Sequence, residues 1–68
     1  MKHIKEHSFI KKISNKCLVK IYVDEYATFW SISAQKIGYE MPCAINWKYS
    51  KKHFPKIHLV IEQFLNEI

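Results

Sequence analysis

From Cys17 to Val23 the chain alternates. Cys17, Val19, Ile21 and Val23 fall on one side, and Leu18, Lys20 and Tyr22 on the other. A period of two with β-branched residues predicts a strand that covers a core with one face. Asp24-Glu25 breaks this run and is expected to turn the chain. Residues 26–34, YATFWSISA, alternate again: Thr28, Trp30, Ile32 and Ala34 lie opposite Ala27, Phe29, Ser31 and Ser33. The two runs are close enough to form a hairpin. Gly38, the only glycine, marks a turn or bulge that needs positive φ. Pro42 opens a further strand, at a position that need not donate to the ladder. Its expected apolar face is Cys43, Ile45, Trp47 and Tyr49, with Ala44, Asn46 and Lys48 opposite.

The period changes near Pro55. Ile57, Val60, Ile61, Phe64 and Ile68 recur at three- and four-residue spacing, which predicts a helix over 55–68 with an apolar stripe. Pro55 suits the first helical position, where a missing N–H costs nothing. Phe9, Ile10 and Ile13, ahead of Ser14-Asn15, predict a first strand hairpinned to Cys17–Val23, with a short helix as the alternative. The fold class is α+β. Residues 1–68 form a single small domain, an antiparallel sheet of three or four strands with one C-terminal helix packed on one face. The other face then carries Leu18, Lys20, Tyr22, Phe29 and Lys48, a mixed aromatic and basic surface.

Sixty-eight residues bury only about 60% of the surface of the unfolded chain, so the core is small. Hydrophobic residues are 49% of the chain, enough to exclude a disordered class and to admit a homodimer. The formal charge is +5, and every cation is a lysine. Residues 1–20 carry six Lys against Glu6, and residues 46–58 carry four Lys and no acid. Between them Asp24, Glu25 and Glu40 outnumber Lys36. This balance points to nucleic acid, an acidic protein surface or an anionic membrane. The absence of arginine argues against reading base edges. A Lys- and Ile-rich composition also fits codon usage in an AT-rich genome. MKHIKEHSF lacks the apolar stretch of a signal peptide, and no apolar run reaches a membrane span. A cytoplasmic protein without membrane attachment, in a bacterial or host cell, is expected.

No strong catalytic motif is present, and the expectation is a protein that is not an enzyme. Cys17 and Cys43 lie 26 positions apart among apolar neighbours, without the paired spacing of a zinc site. His53 and His58 straddle the helix start, so helical spacing does not align them. No metal and no cofactor are expected. No glycine-framed elbow supports a cysteine nucleophile. Lys48, Lys51, Lys52 and Lys56 interleave with Trp47, Tyr49, His53 and Phe54, a pattern that suits phosphates and stacked bases. The opposing reading makes Trp47 and Tyr49 core. Lysines crowd a helix start that prefers acids, and Phe54 is a poor N-cap, which together describe an anion site. The candidate partner-binding or anion-binding residues are therefore Lys48, Lys51, Lys52, His53 and Lys56, joined by Lys11, Lys12, Lys16, Lys20, Tyr22 and Phe29.

The stretch KIYVDEYATFWSISAQKIGYE resembles the first hairpin of HicB-type antitoxin domains and their small relatives. Such domains show a strand, an acidic turn, an aromatic in strand two and a small polar run leading to glycine. Asp24-Glu25, Trp30, Ser31, Ser33 and Ile37-Gly38 stand at those places. With the strand and helix that follow, the resemblance runs from Val19 to Leu65, about two-thirds of the chain, and implies a partial RNase-H-like β-β-β-α fold that blocks a toxin nuclease. Those antitoxins tend to be acidic and this chain is basic, so no site residue is carried over. The expected function is a non-enzymatic, protein-binding inhibitor, antitoxin-like or encoded by a phage or mobile element, as an anti-CRISPR is. It would act by steric blocking of an acidic or nucleic-acid-handling partner. The alternative is a Lys-rich protein that binds nucleic acid without sequence preference.

Overall fold

The structure, a computed structural model, describes residues 3–68. Four strands are followed by one helix: β1 His3–Ser14, β2 Cys17–Tyr26, β3 Phe29–Lys36, β4 Pro42–Ser50 and α1 Ile57–Glu67. The strands form one antiparallel sheet in the order β1-β2-β3-β4, so each pairs with its neighbour in sequence. The ambiguous N-terminal segment is a strand, hairpinned to β2 through Asn15-Lys16.

The alternation in β2 does what it predicts. Val19, Ile21 and Val23 are fully buried, and on β3 Trp30, Ile32 and Ala34 are buried beside them. Val60, Ile61 and Phe64 of α1 close this core from one side of the sheet. The ring of Trp47 meets Phe64 edge-on at 5.3 Å. Trp47 and Tyr49 thus belong to the core side, Tyr49 buried and Trp47 half-buried.

Five expectations are corrected. Asp24-Glu25 do not turn the chain: they stay in β2, paired with Ser31 and Trp30, and the turn falls at Ala27-Thr28. Each acid has a side-chain partner on its own side of the sheet, His3 for Asp24 and Lys51 for Glu25. In β4, Ile45 is 64% exposed and Ala44 only 4%, the reverse of simple alternation. Ile32 pairs with Trp47 and Ala34 with Ala44, so two steps on β3 span three on β4. The extra residue is a β-bulge that flips the phase of the strand. Asn46 takes φ 50 there, and its backbone N–H donates to Ser33 Oγ at 3.1 Å.

The other three corrections concern the ends of the helix. Pro55 is not the first helical residue, and Phe54 is not its cap. The N-cap is Lys56, in extended conformation with no side-chain cap bond, and the helix begins at Ile57. Phe54 is held back on the sheet, because its carbonyl accepts the Trp30 indole N–H at 2.8 Å. Ile68, assigned to the stripe, lies beyond α1 and is 36% exposed.

Candidate functional site

The face of the sheet away from α1 is not covered by any described residue of the chain. Strand pairing puts Leu18, Lys20, Tyr22, Asp24 and Tyr26 of β2 on this face, beside Phe29, Ser31 and Ser33 of β3 and Lys48 of β4. The rings and lysines there are organised. Tyr26 and Phe29 stack across the hairpin with centroids 4.6 Å apart and planes 10° from parallel. The Lys48 ammonium lies 5.4 Å from the Phe29 centroid, and the Lys20 ammonium 5.3 Å from that of Tyr22. Cation–π contacts at exposed sites are worth about 0.5–1 kcal/mol, enough to bias a lysine's position without immobilising it. Tyr26, Phe29, Ser31, Asn46 and Lys48 line a depression on this face, and a second, at Lys20 and Tyr22, reaches to Gly38.

The acids on this face gather at one corner. Glu6 pairs with Asp24 across β1 and β2, and Asp24 Oδ1 lies 3.1 Å from His3 Nε2. Lys20 and Lys48 form no ion pair with a described residue. The result is a strip of aromatic rings and unpaired ammonium groups. It can offer apolar anchors and positive charge to an anionic partner.

Lys51, assigned to the anion site at the helix start, is committed elsewhere. Its ammonium sits on the helix side of the sheet, 2.7 Å from Glu25 Oε2 and 4.8 Å from the Trp30 centroid. His7 Nε2 lies 3.5 Å from the other Glu25 oxygen. The Lys51 hydrogen bond, helped by His7 and opposed by partial desolvation, holds the Glu25 carboxyl below its ordinary range. This group ties the β4–α1 connection to the end of the sheet. At the far end of α1, Tyr49 Oη donates to Glu67 Oε2 at 2.7 Å. Burial first, and the Glu67 carboxylate second, push the Tyr49 phenol above its usual range. Hydrogen bonds from Gln63 and Tyr49 hold Glu67 low.

The remaining assigned residues scatter. Lys52 and His53 are exposed in the turn before α1, and Lys56 is exposed at the N-cap. Lys11 faces the helix side of β1, beside Ile57 and Leu65. Lys12 points to the open face at the sheet's outer strand, and Lys16 sits in the first hairpin turn. The structure therefore unites Lys20, Tyr22, Phe29 and Lys48, and separates them from Lys51, Lys52, His53 and Lys56. Tyr26, Ser31 and Asn46 were not anticipated in the site. Tyr26 was detectable, because Leu18, Lys20, Tyr22, Asp24 and Tyr26 continue one alternation once Asp24-Glu25 is read as strand.

Cys17 and Cys43 are free thiols, each half-buried against the core. Among the described residues no group of three or more His, Cys, Asp or Glu side chains is placed to hold a metal ion. No described helix is long and apolar enough to cross a membrane. Comparison with protein-family models, with curated proteins and with solved structures finds no match to the chain.

Proposed function

We propose that this protein is a small non-enzymatic binding module that blocks its partner sterically through the open face of its sheet. One observation carries the reading: Lys20 and Lys48 stand unpaired over Tyr22 and Phe29 on a face that no described part of the chain covers. Unpaired lysines steer an acidic surface into encounter, and half-buried rings supply rigid apolar anchors once water is excluded. The partner is then an acidic protein, or the acidic flank of one that handles nucleic acid. An antitoxin-like role, as the likeness to HicB-type domains suggests, requires a toxin nuclease that presents an acidic patch to this basic face. An inhibitor carried by a phage or mobile element, such as an anti-CRISPR, fits the same reading.

A second reading has its own support. Four antiparallel strands with Tyr22, Tyr26 and Phe29 on one open face provide the kind of platform on which single-stranded bases stack. The present arrangement weighs against it, because Phe29 is already stacked on Tyr26 and covered by Lys48. A base would have to displace both contacts.

The two readings separate in one experiment. The wild-type protein and the double variant Lys20→Glu with Lys48→Glu are used to capture partners from the native host, with and without nuclease. A protein retained after nuclease by the wild type and lost by the variant is the expected result. Capture that nuclease abolishes, with an oligonucleotide shift that fades as salt rises, replaces the leading reading with the second. Equal capture by both proteins removes the open face from either function.

A further inference from the structure

We propose that β1 pairs antiparallel with β1 of a second copy of this chain, about a two-fold axis at Phe9, to make one continuous eight-stranded sheet. This interface lies at a different surface from the open-face site and does not depend on it.

The two edges of the sheet are unlike. β4 is poorly suited to accept another strand: Pro42 begins it, and two register shifts, one at the Asn46 bulge, interrupt it. Proline and bulges are common ways of blunting an edge. β1 is the longest strand, 12 residues, and its irregularities fall only at its ends, between His3 and Lys5 and between Lys12 and Ser14. From Lys5 to Lys12 it is a regular ladder with one side unpaired. Ile4, Ile10 and Ile13 are 57%, 61% and 42% exposed along it.

Lysines often guard such an edge, and β1 carries Lys5, Lys11 and Lys12. Register decides whether they do. Opposed residues must share a face, so the sum of their numbers is even in this regular stretch. With Phe9 opposite itself, each Lys12 meets Glu6 of the other copy on the open face, twice by symmetry. Lys11 meets His7, and within residues 5–12 no lysine stands directly opposite a lysine. This is the only well-overlapped, face-matched register that sets a lysine against an acid.

The helix side points to the same occupant. Phe9, Lys11, Ile57, Ile61, Glu62 and Leu65 line an open groove between β1 and α1. In the paired sheet the two Phe9 rings meet on the axis with an α1 on either side. The apolar flanks Ile57, Ile61 and Leu65 then face one another across them. An isologous two-fold contact of this kind closes and leaves no growing edge. It also enlarges a core that 68 residues keep small.

The test is mass in solution combined with a charge swap. Light scattering on the wild type is expected to give twice the chain's 8.2 kDa, falling towards the monomer on dilution. Glu6→Lys and Lys12→Glu singly oppose like charges at two places each, and should weaken dimerisation by roughly tenfold. The double variant restores opposite charges and should recover the dimer. Circular dichroism checks that each variant folds. Should one fail to fold, concentration-dependent protection of wild-type amides 5–12 against hydrogen exchange gives the same answer. A wild type that stays monomeric at all concentrations overturns the proposal. So does a dimer indifferent to both single changes, or a double variant no tighter than the singles. Lys20→Glu with Lys48→Glu leaves the dimer mass unchanged, so failure here and failure of the open-face function are distinguishable.

Discussion

Glu25 shows how one side chain can settle a local question that its type leaves open. An acid beside another acid in a polar dipeptide predicts a turn. Here alternation carries Glu25 to the helix side of the sheet, where Lys51 and His7 meet its two oxygens at 2.7 and 3.5 Å. The same contact removes Lys51 from the pool of free cations. Its pH consequence follows from sign. The folded carboxyl is held below its ordinary value of 4.5, so the contact adds stability above that value and loses it as pH falls through the lowered one. Glu25→Gln is therefore expected to flatten the acid limb of a stability–pH profile measured by urea unfolding from pH 6 down to 2. An unchanged acid limb would show that Lys51 and His7 do not act on Glu25 in solution. Nothing in the sequence pairs residue 25 with residue 51. That pairing needs β2 and the end of β4 to be brought together by β3.

At the scale of elements, β4 is where period-two reading goes wrong, and the reason is one residue. Trp47 and Tyr49 keep the expected face, but the bulge at Asn46 turns Ile45 outward and Ala44 inward. Asparagine tolerates positive φ far better than β-branched residues do. Asn46→Val is expected to cost about 1–3 kcal/mol in denaturant unfolding through backbone strain, with Asn46→Gly well below that. Equal costs for the two would mean that the bulge does not constrain the strand. The bulge could be suspected from sequence, because asparagine sits inside an otherwise apolar alternation. Its effect on phase could not, since that depends on the partner strand keeping its own spacing. The helix boundary has a similar cause. Proline favours a helix start at residue 55, yet Trp30 holds the Phe54 carbonyl and delays winding to Ile57.

For the whole molecule, a sheet of four consecutive strands with one helix leaves the open face and the regular β1 edge suited to a partner, while Pro42 and the bulge blunt the β4 edge. The open face and the β1 edge are occupied, in the functions proposed above, by an anionic partner and by a second copy. Both rest on a core of modest size. Phe64 is fully buried where α1 meets the sheet, and Phe64→Ala should cost about 3–5 kcal/mol. A core in this size class rarely supplies more than about that much, so the variant is expected to lose its cooperative unfolding transition altogether. A sharp transition with a small shift would show that α1 adds little to the fold.

The α+β class, the inward residues of β2 and β3, the glycine turn and the α1 stripe from Ile57 to Phe64 are legible in the chain alone. These follow from local periodicity, which a side chain's burial enforces wherever one face of an element is covered. So is the sharing of the uncovered face by Lys20, Tyr22, Phe29 and Lys48. Which lysines remain free, where β4 changes phase, where the helix begins and which sheet edge is left regular are set by contacts between elements. The first three rest on contacts between residues 13 to 26 positions apart: Ser33 with Asn46, Trp30 with Phe54 and Glu25 with Lys51. Spacing along the chain does not encode such contacts. They form only when the sheet's register brings their partners within hydrogen-bond reach.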